Sequence, residues 1–167
     1  LLRMLTGMIR PKVVVEIGTY SGYSALSMAA GMAADAVLHT FEINDEQEVF
    51  TRPWLEGSPY PPRIVLHIGE VEKLLPPMNL SIDLAFIDAN KRQYVDYYNL
   101  LMPFIAPGGY ILADNTLWDG HVIDPAYDRD AQTRGIRAFN DLVRDDERVE
   151  KVILPLRDGL SLIRKIG

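Results

Sequence analysis

The chain has 167 residues, enough for one globular domain with its own core, and it carries a net charge of −6 with 48% apolar residues. That acidic balance, with no basic stripe interleaved with aromatics, weighs against a nucleic-acid partner, and no apolar run approaches the roughly 20 residues of a membrane span. Cysteine is absent, which excludes disulfides, thiolate metal sites and a cysteine nucleophile and is compatible with a reducing, cytoplasmic compartment.

The opening "LLRMLTGMIRPK" is too short and too interrupted by charge for a signal peptide. It reads as an amphipathic helix (Leu2, Leu5, Met8, Ile9) with no cap before it, which predicts that an N-terminal segment is missing from this chain. Val13 to Ile17 is a strand rich in β-branched residues. Glycines come next, then a helix from about Gly22 to Ala34. Val37 to Ile43 is a second strand, after which Asn44 or Asp45 can cap a helix running towards Gly57.

"GSPYPP" is a loop, Arg63 to Ile68 a third strand, and Glu70 to Leu75 a short helix stopped by two prolines. Ile82 to Ile87 is a fourth strand. The spacing of Tyr94, Tyr98, Leu101 and Ile105 predicts a helix over 91–105, closed by "APGG". Tyr110 to Ala113 is a fifth strand, with the long loop "NTLWDGHVIDPAYD" after it. Asp130 to Arg144 is a helix with Ile136, Phe139 and Val143 on its buried side. Val149 to Leu154 and Leu160 to Ile166 close the chain as a hairpin around Asp158-Gly159. The whole, residues 1–167, reads as a single α/β domain: a mostly parallel sheet covered on both faces, with a C-terminal antiparallel β-hairpin.

Ligands of such folds bind at the carboxyl ends of the strands. After the first strand, "VEIGTYSGYS" has its glycines at Gly18 and Gly22, not in the G-x-G-x-x-G spacing of dinucleotide binders. This is either a tight turn or a place where a ligand approaches the backbone. Glu16, ending a buried strand, needs a partner. Glu42 ends the second strand about twenty residues further on, where an acid can accept ribose hydroxyls; a solvated strand end is the plainer alternative.

The fourth and fifth strands end on Asp88 and on Asp114-Asn115. Two carboxylates and an amide suit a hard cation such as Mg²⁺, Mn²⁺ or Ca²⁺. Either acid could instead cap the helix or loop that comes after its strand. Lys91 lies three residues beyond Asp88; it is a general-base candidate beside a cation, or an ordinary surface lysine. His39 and His67 fall inside strands and read as structural. His121 and Trp118 lie in the long loop, Trp118 as an aromatic wall for a flat substrate or as packing.

Together these residues resemble the cation-dependent class I O-methyltransferases that use S-adenosylmethionine, the group that includes catechol and caffeoyl-CoA O-methyltransferases. "VVVEIGTYSGYSALSMA" resembles the first cofactor motif, "FIDANKRQY" the metal and catalytic-lysine motif, "GGYILADNTLWDG" the second metal motif, and "LPLRDGLSLIRK" the closing hairpin. The resemblance covers Val13 to Lys165 and implies a Rossmann-like methyltransferase fold with a seven-stranded sheet.

It also implies roles. Glu16, Gly18, Thr19 and Ser24 would surround the methionine part of S-adenosylmethionine, Glu42 would hold its ribose, and Gly69 and Val71 would lie against its adenine, with Asp88 also bordering the cofactor. Asp88, Asp114 and Asn115 would bind the divalent cation, and Lys91 would be the base. Asn90 and Asp119, with Trp118, would contact a catechol-like small-molecule substrate. Relatives are often homodimers, and their N-terminal helices cover the cofactor; the chain is expected to lack all but the last of these.

Two positions depart from the pattern. Asn90 stands where many relatives have a second Asp, and Glu70-Val71 stand where a small or acidic residue and Ala are usual. A nicotinamide-dependent oxidoreductase, or a non-catalytic nucleotide-binding domain of similar fold, is the alternative; the glycine spacing and the two metal-type strand ends speak against it.

Overall fold

A computed structural model describes residues 1–167. The elements in chain order are α1 (Leu2–Ile9), β1 (Val13–Ile17), α2 (Tyr23–Ala29), β2 (Val37–Glu42), α3 (Glu46–Glu56), β3 (Arg63–Ile68), α4 (Val71–Leu74), β4 (Ile82–Ile87), α5 (Tyr94–Leu101), β5 (Ile105–Asp114), α6 (Ala131–Asp145), β6 (Val149–Leu154) and β7 (Leu160–Lys165). The strands form one mixed seven-stranded sheet in the order β3-β2-β1-β4-β5-β7-β6. The β1–β2 and β2–β3 pairs are parallel, and β7 is antiparallel to both β5 and β6. The chain divides into two compact units, residues 1–85 and 86–167.

In the first unit, β1 is buried along nearly its whole length, as its run of β-branched residues requires. Parallel pairing sets Glu16 opposite Thr40 and Ile17 opposite Phe41. Thr51 and Leu55, the buried residues of α3, pack under the turn at Gly22. The Thr6 hydroxyl of α1 lies 3.0 Å from the Met28 carbonyl at the end of α2, which also accepts from the Gly31 N–H (2.9 Å). Helix α2 stops at Ala29, short of the expected Ala34. Met8, assigned by its spacing to the buried stripe of α1, is exposed, and Thr6 takes the buried place instead.

The core of the second unit is aromatic. Tyr94 and Tyr98 of α5 each meet Phe139 of α6 edge-on, at 5.4 and 6.0 Å between centroids. Fully burying a side chain such as Phe139 stabilises by about 1.5–3 kcal/mol. The expected helix over 91–105 is shorter: Lys91–Gln93 is a 3-10 turn, α5 ends at Leu101, and the chain is already extended at Ile105. Pro103 and Pro107 account for this, because each lacks the N–H that a continuing helix would need. "APGG" therefore lies inside β5 rather than ending a helix. The long loop contains 3-10 turns within 118–123, interrupted by a kink at Asp119 and Gly120, and at Pro125–Tyr127.

Helix α6 begins where its sequence says it should. Asp130 Oδ2 accepts from the Thr133 backbone N–H (2.7 Å) and hydroxyl (2.8 Å), an N-cap that holds the Asp130 carboxyl below its ordinary range. Further along, Gly135 passes so close to the Lys91 turn that a Cβ there would lie 2.3 Å from the Lys91 carbonyl oxygen. Only a glycine permits this approach.

Candidate active site

The candidate cofactor residues of the first unit form a bonded set. Glu16 is fully buried at the end of β1. Its Oε2 accepts from the Thr40 hydroxyl at 2.5 Å, and the Thr19 and Thr40 hydroxyl oxygens are also 2.5 Å apart. Thr40 spends its one hydrogen on Glu16, so Thr19 is the donor in that second bond. Thr40, absent from the sequence-based candidates, is thus the partner Glu16 required; its alignment opposite Glu16 in the parallel register is the signal that locates it.

Glu42 is 9% exposed. Oε2 accepts from the Tyr20 backbone N–H (2.8 Å) and Oε1 from that of Asn44 (2.9 Å). Those two bonds fix the carboxylate and leave each oxygen a further lone pair for a hydroxyl. Gly18 sits at φ 100° with its N–H on the Phe41 carbonyl (3.0 Å). Gly69 donates to the Glu42 carbonyl (2.8 Å), and Val71, 5% exposed, opens α4 just beyond it. Ser24 lies half-exposed in the first turn of α2.

In the second unit, Lys91 is not a surface lysine. It is 8% exposed, and Nζ lies 2.8 Å from Asp88 Oδ1, 5.1 Å from the Tyr94 ring centroid and 6.0 Å from that of Trp118. Asp88 is not the cap of the adjoining turn. Asn90 does that work: its Oδ1 accepts from Arg92 N–H (3.2 Å) and its Nδ2 donates to Gln93 (3.0 Å), so Asp88 faces Lys91 instead.

Asp114 Oδ1 accepts from the Asn115 N–H (2.8 Å). Burial pushes the Asp114 carboxyl above its ordinary range; the Asn115 amide and Lys91 oppose that shift, whereas the charges of Asp88 and Asp158 add to it. Asn115 holds a left-handed backbone at φ 60°. The buried Tyr94 hydroxyl donates to the Asp114 carbonyl (2.9 Å) and lies 3.4 Å from that of Ile87. It links the chain at the two strand ends that carry the acids. The sequence places Tyr94 only on a buried helix face; its polar tip is the missed feature.

Trp118 and Asp119 continue in the left-handed region, at φ 48° and 50°. His121 stacks on Tyr127, 3.5 Å between centroids, which occupies one face of its ring. In the first unit His39 and His67 bond to each other (3.0 Å), and His67 stacks on Phe41, as expected of structural histidines.

No three His, Cys, Asp or Glu side chains cluster as a metal cage. The available set is the two carboxylates of Asp88 and Asp114 with the Asn115 amide. The Asp88 charge is felt at Asp114, so a cation bound between these groups would relieve a repulsion already present. Oxygen donors of this kind fit a hard divalent ion. For a nucleoside cofactor, the fit rests on the oriented Glu42 carboxylate beside the positive-φ turn at Gly18.

A family model described as O-methyltransferase matches residues 1–166. The chain belongs to the O-methyltransferase family. It is 33% identical over 178 residues to caffeoyl-CoA O-methyltransferase 2 of Zea mays, covering 99% of this chain and 67% of that protein. With the Eucalyptus globulus caffeoyl-CoA O-methyltransferase 2 it shares 34% identity over 180 residues, covering 99% and 72%. Among solved structures, the Bacillus cereus O-methyltransferase in complex with SAH superposes with a TM-score of 0.91 at 26% identity, over 98% of this chain and 78% of that one. The Streptomyces achromogenes O-methyltransferase TomG in complex with SAM gives 0.91 at 25%, over 99% and 78%. The Rossmann-like methyltransferase fold expected from the motifs is therefore the fold of this family member, and membership favours methyl transfer over the nicotinamide alternative. No helix is long and apolar enough to cross a membrane.

Proposed function

We propose that the chain transfers the methyl of S-adenosylmethionine to one hydroxyl of a catechol-like small molecule, with a divalent cation at Asp88, Asp114 and Asn115 and with Lys91 as the base. The observation that carries this reading is the burial of Lys91 with its ammonium on Asp88 at 2.8 Å. A buried lysine paired with an acid that caps nothing is poorly explained as surface charge and well explained as acid–base machinery. The names of the relatives support the acceptor class, since a caffeoyl group carries vicinal hydroxyls on an aromatic ring. The SAM and SAH complexes of the solved relatives support the cofactor.

Glu42 would accept the ribose hydroxyls on the lone pairs that Tyr20 and Asn44 leave open. Glu16, held by Thr40, would present negative charge at the Gly18–Thr19 turn, Ser24 would border the methionine part, and Gly69 and Val71 would border the adenine. The sulfonium of S-adenosylmethionine supplies an electrophilic methyl, and a divalent cation supplies the charge that lowers a catechol hydroxyl's pKa. Lys91 Nζ, once its ammonium has released a proton to solvent, would take that hydroxyl's proton, with Asp88 and Tyr94 fixing the side chain and Trp118 offering a flat surface to the acceptor ring. Asn90 and Asp119 border the same residues in sequence and would contact the acceptor.

The test is methylation of a caffeic-acid-type catechol with S-adenosylmethionine, with and without EDTA. Chelation is expected to cut the rate by about 100-fold, and added Mg²⁺ to restore it. A rate indifferent to EDTA would remove the cation from the reading, and no methylated catechol at all would remove the substrate class.

A further inference from the structure

The segment from Asn115 to Asp124 holds residues in a conformation that non-glycine side chains seldom adopt. Asn115, Trp118 and Asp119 all have φ between 48° and 60°, and Gly120 has φ 79°. Such a run persists only where its surroundings over-determine it. Asn140 and Ser161 hold it at Thr116, and two other side chains from outside the segment flank Trp118 and Asp119, one on each side.

At the near end stands Asp158, in the turn between β6 and β7. Its carboxylate Oδ1 accepts from the Asp119 backbone N–H, and its carbonyl accepts from Leu117 N–H at 2.8 Å. The next residue, Gly159, accepts from Thr116 N–H at 3.1 Å. At the far end stands Arg137, on α6. Its Nε donates to the Val122 carbonyl (2.9 Å), Nη2 to the carbonyls of His121 and Asp124 (2.8 Å each), and Nη1 to the Asp128 carboxylate (2.6 Å). The guanidinium thus closes the carbonyls at the C-terminal end of the kinked turn over 118–123. Four directed bonds from one planar group fix orientation as well as position.

Between these anchors lies Trp118, whose ring centroid is 6.0 Å from Lys91 Nζ. Asp158 and Arg137 act on the backbone that carries Trp118 and Asp119, not on Lys91 itself. We propose that Asp158 and Arg137 are positioning residues that hold the 115–124 segment as a preformed wall beside Lys91, and so set how tightly and in what orientation the acceptor ring is held. This rests on the reading of Lys91 as the base and of Trp118 as the acceptor's wall.

The chain has two tryptophans, so Trp54→Phe, at an exposed position of α3, makes Trp118 the sole reporter. In that background, Asp158→Ala, Asp158→Asn, Arg137→Ala and Arg137→Lys are compared by acrylamide quenching of Trp118, acceptor KM, kcat and cofactor Kd. Both alanine variants are expected to increase quenching and to raise the acceptor KM about tenfold, with a smaller change in kcat and an unchanged cofactor Kd. Asp158→Asn keeps an oxygen for the Asp119 N–H and should restore both readouts. Arg137→Lys loses the fork and should restore them only in part.

Unchanged quenching and KM in the alanine variants would overturn the proposal, as would a cofactor Kd that moves as far as the acceptor KM. If an alanine variant does not fold, Arg137→Lys decides alone: quenching and KM rise together, or the positioning role is wrong. Should the parent protein methylate no catechol, the functional reading fails by itself, and the quenching series still decides whether the two anchors order the Trp118 segment.

Discussion

In the first unit the candidate site is assembled across neighbouring strands; in the second it is assembled from loops, turns and a helix. Glu16, Thr40 and Thr19 bond directly across adjacent strands, and Glu42 is fixed by backbone N–H groups of its own and the preceding turn. Parallel register alone delivers this set. In the second unit Asp158 reaches Asp119 across 39 residues, Asn140 Nδ2 reaches the Thr116 carbonyl across 24, and Ser161 reaches the Thr116 hydroxyl across 45. There Lys91 pairs with Asp88, and several backbone residues are strained. On the proposed reading, the cofactor residues are held by bonds across the sheet, whereas the reacting lysine is held by an ion pair just beyond a strand end.

That contrast can be broken by variants that should act on one unit and not on the other. The largest effect is expected from Lys91→Ala, which should lower the rate of catechol methylation by about 1,000-fold with cofactor Kd unchanged by calorimetry. A comparable loss of cofactor affinity would mean that the two clusters do not divide the work. Next comes Glu42→Ala. Removing a charged hydrogen-bond acceptor should weaken cofactor binding by about 10- to 100-fold and leave the acceptor KM near its starting value.

Smaller effects concern stability. Gly135→Ala places a Cβ against the Lys91 carbonyl, an overpacking that should cost about 1–3 kcal/mol in urea unfolding and, by moving the Lys91 turn, depress the rate as well. A variant of full stability and full rate would show that α6 has room to shift.

The smallest effect is expected from pH. Burial pulls His39 down to about 4, helped by the His67 and Arg63 charges, and burial lowers His67 as well. A histidine whose folded value lies below its ordinary 6.5 stabilises fully above that value, and its contribution is lost as pH falls towards the folded one. Tm should therefore decline between about pH 6.5 and pH 4, and a His39→Gln, His67→Gln variant should decline less over that window. Equal slopes would assign the decline to carboxylates alone.

How far the sequence foretold this depends on the range of the interactions involved. Strands such as Arg63–Ile68, Ile82–Ile87 and Val149–Leu154 were legible to the residue, because a short stretch rich in apolar and β-branched residues between turn signals is a local property. The strand-end acids were legible for the same reason. The start of β5 was not, since the tyrosine and leucine spacing continues past the point where Pro103 stops the helix. Thr40, Arg137, Asn140 and Asp158 left no local signal: each matters through a partner that only the folded chain supplies. Asn90 was legible in principle, as an Asx residue two before the N–H it caps, yet Asp88 was the more conspicuous candidate for that task.

The Asn90 cap has a consequence for how such a site is tuned. Its bond to the Arg92 N–H uses a side-chain oxygen, which an aspartate would supply equally well. Only the tie from Nδ2 to Gln93 is specific to the amide. At this position the path of the main chain and the local electric field are independent variables. Asn90→Asp would leave the turn in place and add a negative charge two residues from Asp88, strengthening the pull on any cation there without moving a ligand. On the proposed reading, the substitution that looked like a departure from the motif is thus a dial: the scaffold would lose only the Gln93 tie, while an ion or an acceptor there would feel the added charge.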